Sequence, residues 1–123
     1  MARRNSGGPK YPRSARVGET LREIIAEDLV RFDDERLSFV SITGIDVDPE
    51  LNRAIVFFDS LDGEEGDAEI IEALAEYRVR LQSSIARQIK AKKTPILEFR
   101  PDIAIRSSER IDEILRADRE RRS

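Results

Sequence analysis

Between Ala15 and Phe32 apolar side chains return at spacings of three and four, at Val17, Leu21, Ile24, Ile25 and Leu29. That period puts them on one stripe and predicts an amphipathic helix. Ser14 is the candidate N-cap, with a hydroxyl to accept from a free first-turn amide. The charged run Asp33-Asp34-Glu35-Arg36 sets the end near Phe32. The period then changes. Val40 and Ile42 alternate with Ser41 and Thr43, Gly44 interrupts, and Ile45 and Val47 resume one position out of phase. A strand with a glycine and a phase slip predicts a β-bulge. After the turn cluster Asp48 to Asn52, every position from Ala54 to Phe58 is apolar, which suits a central strand better than an edge. The two strands are expected to pair as an antiparallel hairpin, with Phe57 and Phe58 in the core.

From Ala68 a second helix begins, roughly 25 residues long and stopped by Pro95. Its core stripe reads Ile71, Leu74, Leu81, Ile85 and Ile89, which leaves Arg80, Ser83, Arg87 and Lys90 on the far side. Ile96 to Phe99 reads as a third strand. A helix separates it from the second strand, so no tight hairpin joins them and the chain must cross over. Ser107 or Ser108 is the expected cap of a last short helix with the apolar face Ile111, Ile114 and Leu115. Two helices and three strands make an α+β, two-layer domain, a three-stranded sheet covered on one face. The domain is expected over residues 14–115, between a disordered basic arm, 1–13, and a charged flexible tail, 116–123.

Composition narrows the chemistry. The 123 residues include no cysteine and no histidine, which removes disulfides, thiol nucleophiles and the usual general base near neutral pH. Catalytic carboxylates need burial and mutual geometry that a loop such as Asp59 to Asp67 does not suggest, so no catalytic residue is assigned. Asp59, Asp62 and Asp67 invite a calcium reading, but Leu61 and Gly63 stand where an EF-hand loop needs ligands, so no metal is assigned. Met1 to Lys10 has no apolar run of the signal-peptide kind, and no stretch approaches the roughly 20 apolar residues of a membrane span. A cytoplasmic protein is expected.

The net charge of −3 is an average over unlike segments. Residues 1–22 carry a net +5, residues 23–77 a net −14, residues 78–100 a net +6, and residues 101–123 are balanced. Such segregation can polarise a surface and orient it on nucleic acid. Arg78, Arg80, Arg87, Lys90, Lys92 and Lys93 are then phosphate contacts, or else a solvated helix face favoured by the dipole. With a single acid, Glu98, among residues 78–100, phosphate contact is the stronger alternative. Ser83 faces outward, where a small residue admits close approach of RNA, and Arg16 lies close by if both helices share one sheet face. Tyr77 belongs to the stripe edge more readily than to a base stack.

The element order is that of a type II KH-like domain, and several segments resemble the ribosome-binding factor A family. They are Arg16-Val17 opening the first helix and the stretch Phe39 to Val47, followed by Asp48 to Leu51 and Ala54 to Phe58. Downstream come Ala73-Leu74, Pro95 to Phe99 with Pro101-Asp102, and Ile111 to Leu115. The resemblance implies a non-enzymatic, cofactor-free factor that binds the small (30S) ribosomal subunit and 16S ribosomal RNA and assists late assembly and 5′-end maturation. Small-subunit ribosomal proteins are further candidate partners, and a monomer is expected. The implied RNA-binding set is Arg16, Arg78, Arg80, Ser83, Arg87, Lys90, Lys92 and Lys93. The family breaks its long helix at an alanine-x-glycine kink. Here that place holds Tyr77-Arg78-Val79, so the helix is kinked or continuous, and the family's arginine beyond it falls on Gln82. Two other functions stand beside this one: an adapter that binds protein through its acidic surface, and a stand-alone KH-like RNA-binding protein. The missing G-x-x-G loop argues against the second.

Overall fold

In a computed structural model that describes residues 13–89 and 93–122, the chain runs α1 (Arg13–Phe32), β1 (Val40–Val47), β2 (Arg53–Ser60), α2 (Asp67–Gln88), β3 (Ile96–Pro101) and α3 (Ile103–Arg122). β2 is the middle strand of a three-stranded sheet, antiparallel to β1 and parallel to β3. A parallel neighbour demands a crossover, and α2 supplies it. The central place of β2 explains its unbroken apolar run. Ala54, Val56 and Phe58 are buried in the core beneath α1 and α2, while Ile55 and Phe57 are only half-buried. Phe57, expected in the core, is turned to the opposite face by the alternation of the strand.

The bulge lies where the phase slip placed it. The register passes from Ile42 opposite Phe58 to Gly44 opposite Phe57, leaving Thr43 without a partner in the ladder. Its hydroxyl donates instead to Asp102 Oδ2 at 2.5 Å. The turn into β2 is closed by the Asp48 carboxylate, which accepts from the amides of Asn52 (2.6 Å) and Arg53 (2.8 Å). Leu51 takes a left-handed φ of +62° there, with its side chain buried. Burial holds a conformation that a leucine would otherwise avoid.

The core is built from Leu21, Ile24, Ile25 and Leu29 of α1, Ile70, Ala73, Leu74, Leu81 and Ile85 of α2, and the inward positions of the sheet, Ile42, Val47, Ala54, Val56, Phe58 and Leu97 among them. Each large side chain so buried contributes about 2 kcal/mol of transfer free energy.

Several local expectations are corrected. Arg13 is already helical, so Ser14 lies inside the first turn rather than at its cap. The stripe of α2 is entered through Ile70, at i, i+3, i+4 and i+7 with Ala73, Leu74 and Tyr77, and Ile71 is exposed on the flank. α2 ends at Gln88 because Ile89 turns extended (φ −99°, ψ 123°), well before Pro95. Pro95 is itself buried, at the entry to β3. The last helix is neither short nor capped by Ser107 or Ser108. It starts at Ile103, its first-turn amide of Ile105 bound by Asp102 Oδ1 at 3.0 Å, and continues to Arg122 through the segment expected to fray. Ile111, Ile114 and Leu115 are exposed on it.

Candidate nucleic-acid interface

α2 is one unbroken helix across Tyr77-Arg78-Val79. Positive φ among the described residues is confined to Asp33, Leu51 and Gly63. A kink there needs backbone freedom that glycine provides and that Tyr77, Arg78 and Val79 lack. The unbroken helix divides the cations by flank. Arg78 lines a surface groove of about 300 Å³ with Arg53, Ile71, Ala75, Ile96 and Phe99, beside the free edge of β3. Arg80, two positions on, points to the α1 side, where its guanidinium carbon stands 4.7 Å from the Phe32 ring centroid. Arg80, Ser83 and Arg87 are exposed at i, i+3 and i+7, an outward stripe as the period predicts.

Arg16 is exposed near the start of α1, at the end of the sheet where Gly18 packs on β1, a Cβ there standing in ordinary contact, 3.6 Å, with Val47. The C-terminal end of α2 lies toward the same end of the sheet, since β3 begins there with Ile96 opposite Arg53. Lys93 is bound to Asn52 Oδ1 at 2.5 Å in the turn before β2. Lys90, Lys92 and most of the basic arm lie outside the described residues. Arg16, Arg78 and Arg87 make no side-chain hydrogen bond or ion pair among the described residues. The expected set is therefore not one cluster. It comprises an outward stripe, a groove-side arginine, and cations about the sheet end that carries the α1 N-terminus.

Gln82, where the resemblance leads one to expect an arginine, has a structural task. Its Nε2 donates to the Pro95 carbonyl at 3.1 Å and its Oε1 accepts from the Leu97 amide at 2.9 Å. Ser84, unlike Ser83, is buried, and its hydroxyl accepts from Gln88 Nε2 at 3.0 Å.

Sequence reasoning missed the support beneath Arg80. Phe32 and Tyr77 stack in parallel, their centroids 4.2 Å apart and their planes at 7°. The Tyr77 hydroxyl donates to Asp34 Oδ2 at 2.9 Å. Arg36 bonds both oxygens of Asp34, at 3.1 and 2.7 Å, and both oxygens of Glu76, each at 2.9 Å. Hydrogen bonds from the Arg36 side chain and amide hold the Asp34 carboxyl well below the usual carboxylate range, and Glu76 is lowered by the same guanidinium. The bond to Asp34 pushes the Tyr77 phenol up, so it stays a donor. In the sequence these residues were a helix end and a charge run; only an Asp-x-Arg spacing hinted at local pairing.

A second ionic knot sits at the N-terminal end of α2. Arg106 of α3 makes a two-pronged bond to Asp67 (2.7 and 2.9 Å) and reaches Asp59 at 2.9 Å. The acidic loop is thus partly engaged in holding α3 rather than wholly solvated. Among the described residues no group of acidic side chains is arranged to hold a metal ion, and no helix is long and apolar enough to cross a membrane.

The family model of ribosome-binding factor A matches residues 13–115. The ribosome-binding factor A of Halorhodospira halophila is 38% identical over 113 residues, covering 85% of this chain and 87% of that protein. That of an Azoarcus species is 34% identical over 108 residues, covering 86% and 85%. The crystal structure of ribosome-binding factor A from Thermus thermophilus superposes with a TM-score of 0.64 at 25% identity, covering 72% of this chain and 93% of that one. A homology model of the Thermus thermophilus factor, as fitted into the cryo-EM map of a 30S–RbfA complex, matches with a TM-score of 0.60 at 26% identity, covering 73% and 96%.

Proposed function

This chain belongs to the ribosome-binding factor A family, and we propose that it binds the small ribosomal subunit through 16S ribosomal RNA, assisting late assembly and 5′-end processing. The observation that carries this reading beyond the family is the outward stripe Arg80-Ser83-Arg87, with Arg16 exposed on the neighbouring helix. Arg78 on the groove side and Lys93 at the turn before β2 add further cations, and Lys90 and Lys92 complete the proposed set. These cations neutralise phosphates and release counterions, so affinity falls as salt rises. The protein acts in the cytoplasm as a monomer, without cofactor and without catalysing a reaction. The adapter reading is weakened by the engagement of Asp59 and Asp67 with Arg106.

Co-sedimentation with immature and mature small subunits tests the proposal. Preferential retention on immature particles, lost steeply between low and moderate salt, is expected. Equal retention on both would overturn the assembly role. Affinity indifferent to salt would overturn phosphate contact.

A further inference from the structure

An arginine on a helix four residues after a glutamate ordinarily pairs with it. Glu76 and Arg80 have that spacing, yet Glu76 is taken by Arg36 through two bonds of 2.9 Å. Arg36 also takes Asp34. The carboxylate at pairing distance in sequence, and Asp34 beside it, are thus engaged by another cation. Arg80 is instead held by rings, 4.7 Å from the centroid of Phe32 and 5.5 Å from that of Tyr77, within cation–π reach of both. It makes no hydrogen bond or ion pair among the described residues, so its N–H fork is left for an outside acceptor.

We propose that Phe32, Tyr77 and Arg36 are positioning residues that present the Arg80 guanidinium as a preformed phosphate contact for RNA. This rests on the RNA-binding reading above and deepens it. A long side chain loses rotamer freedom when it grips a phosphate, and one ordered in advance loses less. Arg36 serves by occupying Glu76, which would otherwise capture Arg80. Phe32 and Tyr77 serve by giving the guanidinium a flat apolar flank while its donor edge stays in water. Arg87, on the same stripe, has no such support among the described residues and contributes charge alone.

The test is a double-mutant cycle on the full chain, read as affinity for purified immature small subunits, with thermal melting to confirm folding. Phe32→Leu is expected to weaken binding by about threefold, the size of an exposed cation–π contact, and to have no effect in an Arg80→Ala background. Equal loss in both backgrounds, or none in either, would overturn the inference. In a second cycle, Arg36→Ala is expected to weaken binding because Glu76 is freed to capture Arg80. Adding Glu76→Gln is expected to restore it, and failure of that rescue counts against the inference, since a merely structural loss would persist. The two levels separate cleanly. If Arg80→Ala leaves affinity unchanged while Arg87→Glu lowers it, the positioning inference falls and the RNA reading stands. If neither changes affinity, both fall.

Discussion

Gln82 satisfies two backbone groups with one side-chain amide, and it ties the second half of α2 to the entry of β3. The Leu97 amide it serves belongs to a buried residue, so its loss leaves a donor without water or partner. Gln82→Leu is expected to lower stability by about 2 kcal/mol in urea unfolding while leaving secondary structure intact. The Asp34 bond network has a different signature, a dependence on pH. A carboxyl lowered on folding contributes stability that is fully present above its ordinary value of 3.8 and is lost as pH falls toward the folded value. Thermal melts of Asp34→Asn and the unchanged chain are therefore expected to differ at pH about 7 and to converge as pH drops below about 4. Neither role was legible in the sequence. Periodicity reports which side faces the core, whereas hydrogen bonds across long sequence separation leave no periodic trace. The cationic stripe Arg80-Ser83-Arg87 was legible, because three-and-four spacing alone fixes a helix face.

At the scale of elements, the strands were read nearly as they stand, since two-residue alternation, a phase slip at Gly44 and a wholly apolar central strand are strong signals. The helices were read less well at their ends. Stripe counting from Ile71 missed Ile70 by one position, and a serine looked like a cap where Asp102 is the acceptor. α3 was underestimated because most of its length buries little, so the apolar period that betrays a helix is weak there. Its hold on the body is concentrated at the base, in the Asp102 cap and in the Arg106 bonds to Asp67 and Asp59. Asp67 pushes the Arg106 guanidinium still further up, and all three side chains are largely shielded from solvent. Arg106→Gln is expected to destabilise the domain by about 2 kcal/mol, leaving two carboxylates facing each other. Amide exchange in α3 should rise more than in α1 or α2. Equal protection in both proteins would show that the ionic knot does not anchor the helix.

Over the whole molecule, charge is sorted as the sequence segments indicate, with the acidic stretch before and in the first half of α2 and the cations on its second half. Such a body is repelled at one flank and attracted at the other, which favours one orientation on a polyanion. Reversing Glu65, Glu69 and Glu72 to lysine is expected to raise affinity for unrelated RNA, measured by filter binding, and to steepen its salt dependence. An adapter that works through this flank would instead lose its partner. The fold class was legible because order and period together leave few topologies. The division of the basic set was not, because flank depends on what each side of α2 meets.

The parallel pairing of β2 with β3 also imposes an order of assembly. α1, β1 and β2 are joined by near neighbours in sequence and can close early, whereas β3 must wait for the whole of α2 to be in place. During synthesis the chain therefore carries a finished hairpin and a helix fastened only on its α1 side until Leu97 has emerged to meet Gln82. The second half of α2 gains its tie to the sheet through Gln82 only with the last strand, so a chain cut short before β3 would keep the Arg36–Glu76 and Phe32–Tyr77 contacts and lack that tie.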